Sequence, residues 1–189
     1  SIGFLIDEEQ PMIWRGPMAT QALMQLFGET RWDEMDYLVV DLPPGTGDIQ
    51  LTLSQRIPVS GAIVVTTPQD IALLDARKGL QMFRRVEVPI LGLVENMSFF
   101  CCPNCGHQSD IFGTGGGQSM SEQYDVELIG RVPLDAQIRQ QADSGMPTVA
   151  ADPESAVSAI YRDIARKAAA RLAHGTPADA FPDIEVAED

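Results

Sequence analysis

Four short apolar runs, each followed directly by polar residues, constrain the fold of this chain more than any other feature. They are Tyr37–Asp41, Gly61–Thr66, Ile90–Val94 and the shorter Leu128–Gly130. Continuous runs of this kind are typical of strands that are buried on both faces of a parallel sheet. Helical spacing of apolar residues separates them and predicts helices over residues 17–27, 70–83, 136–142 and 153–172. The alternation predicts an α/β fold, a parallel sheet flanked by helices on both faces.

The length of 189 residues suits one domain with a sizeable core. We predict that this domain covers residues 1–173, with an irregular cysteine-containing stretch over residues 99–119. An acidic tail over residues 174–189 is expected to be disordered, since it carries five acids and little that could pack. The chain opens on a strand-like segment, Ile2–Ile6, without an initiator Met. We therefore expect it to be truncated at its N-terminus.

Charge and hydropathy exclude several functional classes. The chain has 27 acidic and 13 basic residues, for a formal net charge of −14. A surface this acidic repels phosphate backbones and anionic lipids, so we expect no nucleic-acid partner and no membrane partner. No apolar run approaches the ~20 residues that span a bilayer, and no signal segment opens the chain. These features predict a cytoplasmic protein.

The loop after the first apolar run has the residues of a nucleotide switch. Ligands of parallel α/β sheets bind at the carboxyl ends of the strands. There, Asp41 could reach a Mg²⁺ ion, usually through water, and Gly45 could bring its backbone N–H to a γ-phosphate because no side chain blocks the approach. The alternative is a strand-to-helix turn with a capping Asp and no nucleotide. The full string Asp41–Asp48 is more specific than D-x-x-G alone.

Two further strand ends provide candidate groups for the same pocket. Asn96 has an amide with a donor and an acceptor, which suits an adenine edge. Pro133, Leu134 and Asp135 follow the last apolar run and could close over the base. Residues 66–70 would form a wall of the site and start a helix. Each of these, taken alone, is equally well explained as a structural loop residue.

The cysteines are clustered at Cys101, Cys102 and Cys105. An odd count within five residues argues against a disulfide framework. The spacing of Cys102 and Cys105 lets two thiolates bind one metal centre, but a zinc site or a four-iron cluster needs four ligands. Adding Cys101 and His107 would strain so short a loop. Two copies of the chain would supply four thiolates across a two-fold interface, which favours a bridging cluster that can be handed on.

Two alternatives to a cluster stay open for the CxxC pair, a structural zinc knuckle and a thioredoxin-like redox pair. Redox CxxC motifs usually open a helix after a strand, whereas this pair lies in a Gly-rich loop. The glycines of Gly113–Gly117 resemble a phosphate cradle, but no G-K-[ST] sequence completes it. Loop flexibility is the expectation for that stretch.

Seven motifs occur in an order that resembles a known family. They are RGPM at 15–18, DLPPGTGD at 41–48, TTPQD at 66–70, ENMS at 95–98, CPNCG at 102–106, FGTGGG at 112–117 and RVPLD at 131–135. Together they resemble the Mrp/ApbC family of iron–sulfur cluster carrier ATPases, relatives of MinD and the nitrogenase iron protein with a deviant P-loop (SIMIBI-type) NTPase fold. The resemblance runs from residue 1 to about residue 173.

The resemblance implies a homodimer with ATP and Mg²⁺ at its interface and a bridging [4Fe–4S] cluster that is transferred to apo iron–sulfur proteins. Asp41 would take the Walker B role and Gly45 the γ-phosphate switch role. Asn96 and the segment from Pro133 to Asp135 would hold the base, and Cys102 and Cys105 the cluster.

The chain departs from that family at its start. The Walker A loop and the switch I Asp of the family are absent, and the two lysines, Lys78 and Lys167, fall in predicted helices. The resemblance therefore implies the C-terminal portion of an ATPase, which by itself should hydrolyse little ATP. The alternatives are a non-catalytic zinc- or cluster-binding scaffold and a MinD-like regulatory ATPase with incidental cysteines.

Overall fold

The structure is a computed structural model that describes residues 16–42 and 47–175. Chain contacts divide it into two compact units, one ending at Pro58 and the other beginning at Val59. Residues 174 and 175 of the predicted tail are helical, and residues 176–189 lie outside the described residues, as does the predicted opening strand. The longest described helix covers Ala156–Gly175, and none of the described helices is both long enough and apolar enough to cross a membrane.

The first unit contains two helices that pack against each other, α1 (Gly16–Glu29) and α2 (Asp48–Arg56). Helix α1 confirms the helix predicted over residues 17–27. Its C-terminal end is covered by Trp32, whose ring centroid lies 5.9 Å from that of Phe27 and whose indole N–H donates to the Phe27 carbonyl at 2.8 Å.

The strand predicted over Tyr37–Asp41 is wrong for this structure. These residues have no regular secondary structure, and the two sheets formed by the described residues do not include them. Tyr37 is 62% exposed and Val39 is 90% exposed. An apolar run becomes a parallel strand only where neighbouring strands satisfy its backbone groups and helices cover both of its faces. Composition predicts the tendency to be buried but does not supply these partners.

The second unit is a strand–helix alternation around a parallel sheet. In chain order its elements are β1 (Ala62–Thr66), α3 (Asp70–Arg85), β2 (Ile90–Glu95), β3 (Phe100–Cys101), β4 (Gln108–Ser109), α4 (Gly116–Tyr124), β5 (Leu128–Arg131), α5 (Ala136–Asp143), α6 (Thr148–Ala151) and α7 (Ala156–Gly175). The sheet order is β1–β2–β5, with both pairs parallel. Three of the four predicted strands and the three predicted helices of this unit are confirmed.

Helices cover both faces of the sheet, which confirms the predicted fold class. On one face Leu93 of β2 packs with Leu80 of α3 and Met120 of α4, and all three side chains are fully buried. On the other face Ile129 of β5 is fully buried against a cluster that includes Ile164 of α7. Burial of side chains of this size contributes about 1.5–3 kcal/mol each. The core therefore holds β2 and β5 rigidly between two helical layers.

Strand β1 is less buried than its composition predicts. Its residues alternate between buried and exposed, so that Ile63 is 39% exposed and Val65 is 60% exposed. The reason is that α3 packs on one face of β1, whereas α7 lies against β2 and β5. Val64 and the polar residue Thr66 are buried and face the covered side, since side chains alternate between the two faces of a strand.

The glycine-rich stretch was expected to be a flexible loop, but its last two glycines begin helix α4. A Cβ on Gly117 would lie 2.8 Å from Oε2 of Glu95, closer than packed atoms allow. Gly115, immediately before the helix, has φ +73°, a conformation that favours glycine. These glycines therefore serve close approach and a tight turn. The low helix propensity of Gly hid this helix from pattern reasoning.

Candidate functional site

The carboxyl ends of the three parallel strands lie side by side. Thr66 of β1 is paired with Glu95 of β2, and Glu95 with Arg131 of β5. The chain beyond each strand stays attached to its neighbour, since Asn96 N–H donates to the Thr66 carbonyl at 2.7 Å and Val132 N–H to the Glu95 carbonyl at 2.8 Å. The structure thus brings the predicted residues Asn96 and Pro133–Asp135 to one edge of the sheet, as expected for parallel strands.

Asn96 occupies a tight turn at this edge. Its side chain is half-buried, and its Oδ1 accepts the backbone N–H of Met97 at 2.9 Å. Met97 has φ +53°, which is uncommon for a residue with a side chain. The turn therefore uses one of the two acceptor positions of Oδ1.

The segment Pro133–Asp135 is fixed from both ends. Pro133 is buried, and Leu134 N–H donates to the Phe99 carbonyl at 2.7 Å. Asp135 is the N-cap of α5, with its Oδ1 accepting the Gln137 N–H at 2.8 Å. A capping carboxylate stabilises a helix start by about 1 kcal/mol. The segment is therefore pre-organised, and its backbone groups are its best candidates for contacting a ligand.

A small hairpin presents the cysteines. Strands β3 and β4 pair antiparallel, and the turn between them holds Cys102 and Cys105. The turn is closed by two backbone hydrogen bonds of 2.9 Å, from Cys102 N–H to the His107 carbonyl and from Gly106 N–H to the Cys102 carbonyl. Gly106 has φ +71°, so the turn requires glycine at this position. Cys102 is half-buried and Cys105 is exposed, with both thiols free.

The turn favours the thiolate of Cys102. The backbone N–H groups of Asn104 and Cys105, followed by the Cys105 thiol, donate to the Cys102 sulfur and hold its pKa below the ordinary value, against a weaker opposing effect of desolvation. The thiolate is the form that binds a metal. The hairpin therefore presents two free thiols in one turn, and that of Cys102 is favoured as the thiolate.

The lowered pKa of Cys102 predicts a pH dependence. Because the folded turn stabilises the thiolate, Cys102 should keep its nucleophilic form to lower pH than an ordinary cysteine does. The rate of alkylation by iodoacetamide, followed at Cys102 by peptide mass spectrometry on the metal-free protein, should reach half its maximum at a lower pH in the folded chain than in the same chain in urea. Coincident pH profiles in the two states would contradict this prediction.

Two further predicted site residues precede the second unit along the chain. Asp41 lies in the first unit and is exposed at the end of the irregular segment. Gly45 lies outside the described residues. Across residues 16–42 and 47–175, no group of three or more His, Cys, Asp or Glu side chains is arranged to hold a metal ion.

Two residues that pattern reasoning did not single out organise the edge. Glu95 is 1% exposed, and Arg131 lies beside it with Nε 3.4 Å from a Glu95 oxygen. Each directly follows an apolar run, the same signal that drew attention to Asp41. An acid that follows one apolar run and a base that follows another would therefore have been a signal for an ion pair between two strand ends.

Known proteins resemble this chain over most of its length. The family model described as ParA, NUBPL iron-transfer P-loop NTPase, matches residues 1–169. The chain is 59% identical over 172 residues to the iron–sulfur cluster carrier protein of Escherichia coli K12, covering 91% of this chain and 47% of that protein. It is 50% identical over 172 residues to mouse iron–sulfur cluster transfer protein NUBPL, covering 91% of this chain and 54% of that protein. The chain thus spans about half the length of these relatives.

Solved structures give the same fold. A nucleotide-binding protein of Archaeoglobus fulgidus in complex with ADP superposes with a TM-score of 0.60 at 37% identity, covering 67% of this chain and 52% of that one. The cell-division ATPase MinD of Pyrococcus furiosus superposes with a TM-score of 0.56 at 23% identity, covering 78% of this chain and 55% of that one, and supports the fold alone. With a family model matching nearly the whole chain, the conclusion is that this chain belongs to the NUBPL iron-transfer P-loop NTPase family.

Proposed function

We propose that this chain is the cluster-holding portion of an iron–sulfur cluster carrier. Two copies would hold one [4Fe–4S] cluster between them as cargo, on Cys102 and Cys105 of each copy, and pass it to apo iron–sulfur proteins. The observation that carries the proposal is the hairpin with two free thiols in one tight turn, one of which is favoured as thiolate. The names of the relatives, carrier and transfer proteins for iron–sulfur clusters, support the same cargo.

The number of donors supports a shared site. A four-iron cluster takes four thiolates, and the turn supplies two. An isologous dimer places the same turn on both sides of its axis, so that two copies complete the set. A cluster at such a boundary is reachable by an acceptor protein, whereas a cluster enclosed by one chain is not. Exposure of Cys105 therefore fits delivery better than electron transfer.

The nucleotide site of the whole protein would use the edge of the sheet. Asn96 and the backbone of Pro133–Asp135 would hold the base of ATP. Asp41 would hold Mg²⁺ through water, and Gly45 would offer its N–H to the γ-phosphate. Support comes from the side-by-side strand ends and from the 37% identical relative that was solved with ADP.

Hydrolysis of ATP would need groups beyond these. A lysine that grips the phosphates is a common part of P-loop sites. Lys78 is paired with Asp75 on α3 at 3.1 Å, and Lys167 with Asp163 on α7 at 2.7 Å. Neither lies at the edge formed by the strand ends. We therefore assign ATP-driven steps to the whole protein.

The proposal is tested by anaerobic reconstitution of the chain with ferrous iron and sulfide. We expect about four irons and four sulfides per two chains, with the visible absorbance of thiolate-bound iron–sulfur and the mass of a dimer in native mass spectrometry. A folded, colourless monomer that takes up one zinc ion per chain under the same conditions would replace the carrier by a zinc scaffold.

A further inference from the structure

The two ends of the segment that carries the cysteines meet on one buried carboxylate. We call residues 98–116 the cysteine loop. Ser98, its first residue, donates its hydroxyl to Oε1 of Glu95. Gly117, immediately after its last residue, donates its backbone N–H to Oε2 of Glu95 at 2.5 Å. Glu95 is 1% exposed and Ser98 is also 1% exposed, so both hydrogen bonds are shielded from water.

Arg131 completes the network from the neighbouring strand. Its Nε donates to the Ser98 hydroxyl at 2.8 Å and lies 3.4 Å from Oε1 of Glu95. Its guanidinium carbon lies 6.0 Å from the ring centroid of Phe99, the next residue of the cysteine loop. The guanidinium group of Arg131 thus neutralises the charge of the buried carboxylate and also contacts the first residues of the cysteine loop.

The arrangement is costly to break. A carboxylate withdrawn from water needs hydrogen-bond donors for both oxygens. Here the first end of the cysteine loop supplies the donor to one oxygen of Glu95, and the last end supplies the donor to the other. The N-terminus of α4, where Gly117 lies, also favours a negative group. Opening the Gly117 end would therefore remove the donor to Oε2 of Glu95, and opening the Ser98 end would leave Oε1 with Arg131 alone.

We propose that Glu95, together with Arg131, is a positioning residue that clamps the cysteine loop at both ends and so holds Cys102 and Cys105 in a fixed orientation. This rests on the proposed function, in which the two cysteines hold a cluster with a second copy. Four sulfurs from two chains must converge on one cluster. If the cysteine loop of one chain moved as a whole, its two sulfurs would separate from those of the other chain. Iron would then be released from the cluster faster.

The test compares Glu95→Gln with wild type after reconstitution to equal iron content. The amide keeps one acceptor. Either the Gly117 N–H faces the N–H₂ group and loses its acceptor, or the Ser98 hydroxyl loses its charged acceptor and can only accept from the N–H₂ group. In both orientations the clamp is weakened, because its negative charge is removed. We expect iron release to a ferrous chelator to accelerate about 10-fold or more, as for groups that orient metal ligands. The visible circular dichroism of the cluster should also change. Glu127→Gln is the matched control, since this exposed carboxylate is likewise paired with an arginine, Arg171.

A second variant keeps the test decisive if Glu95→Gln fails to fold. The Arg131 side chain is 46% exposed, so Arg131→Met removes the cation and its hydrogen bond to Ser98 without opening the core. It should accelerate iron release in the same direction, in a chain whose far-ultraviolet circular dichroism shows that it is folded. Iron release and circular dichroism that match wild type in both folded variants would overturn the proposal.

Hydrogen exchange of the metal-free chain separates this proposal from the cluster proposal. In Glu95→Gln, amides of residues 98–116 should exchange faster than in wild type, while those of α7 stay unchanged. Faster exchange in Glu95→Gln would support the clamp even if the wild-type chain takes up no cluster, and that failure would contradict the proposed function. Unchanged exchange in a chain that does bind a cluster would sink the clamp alone.

Discussion

Replacing either Cys102 or Cys105 by alanine is expected to abolish cluster binding, the largest effect that we predict for any substitution. In the proposed dimer, each variant removes two of the four thiolates at once, because both copies carry the change. A two-thiolate remainder cannot hold a four-iron cluster. Iron and sulfide content after anaerobic reconstitution should fall from about four per two chains to background.

Cys101→Ala is the matched control for these variants. Cys101 is an exposed, free cysteine that precedes the CxxC pair, and its thiol faces the Gly106 carbonyl at 3.5 Å. This variant should keep full iron content and the dimer mass. Retention of the cluster in Cys102→Ala or Cys105→Ala, or its loss in Cys101→Ala, would show that the ligands are assigned wrongly.

Leu93→Ala is expected to destabilise the chain by about 2–5 kcal/mol, because it removes a fully buried side chain from the centre of the sheet. Leu93 lies on β2 between Val64 of β1 and Leu128 of β5, and it packs against Leu80 and Met120. The cavity would be bounded on two sides by strands that cannot move inward independently. The measurement is the free energy of unfolding from urea titration followed by circular dichroism.

Leu74→Ala provides the comparison for this change. Leu74 on α3 is truncated by the same three carbon atoms in this variant, but its side chain is 50% exposed. Its effect should stay within about 0.5 kcal/mol, as for most surface substitutions. Equal destabilisation by the two changes would mean that the sheet core of the second unit does not form as described.

The elements with a local sequence signal match their predictions. The apolar runs at Gly61–Thr66, Ile90–Val94 and Leu128–Gly130 are strands, and the regular spacing of apolar residues placed the helices between them. The same pattern predicts that Asn96 and Pro133–Asp135 lie at one edge of the sheet, since parallel strands align their carboxyl ends. The roles predicted for Asp41, Gly45, Asn96, Pro133–Asp135 and the cysteines stay predictions.

The predictions from the sequence are wrong where the structure depends on residues that are distant along the chain. Tyr37–Asp41 is as apolar as the confirmed strands, yet it is exposed and irregular because neither described sheet includes it. Helix α4 begins on glycines that disfavour helices, but Glu95 accepts the Gly117 N–H and Met120 is fully buried. Tertiary contacts of this kind override local propensity.

The sequence by itself determined the alternation of strands and helices, the family, and the close spacing of Cys102 and Cys105 in one loop. These depend on residue type and spacing along the chain, which short-range geometry converts directly into structure. Only the tertiary structure decided that Glu95 joins both ends of the cysteine loop and that Arg131 covers its start. Those contacts bring together residues as far apart as Glu95, Gly117 and Arg131, and they exist only because the buried sheet places its strand ends side by side.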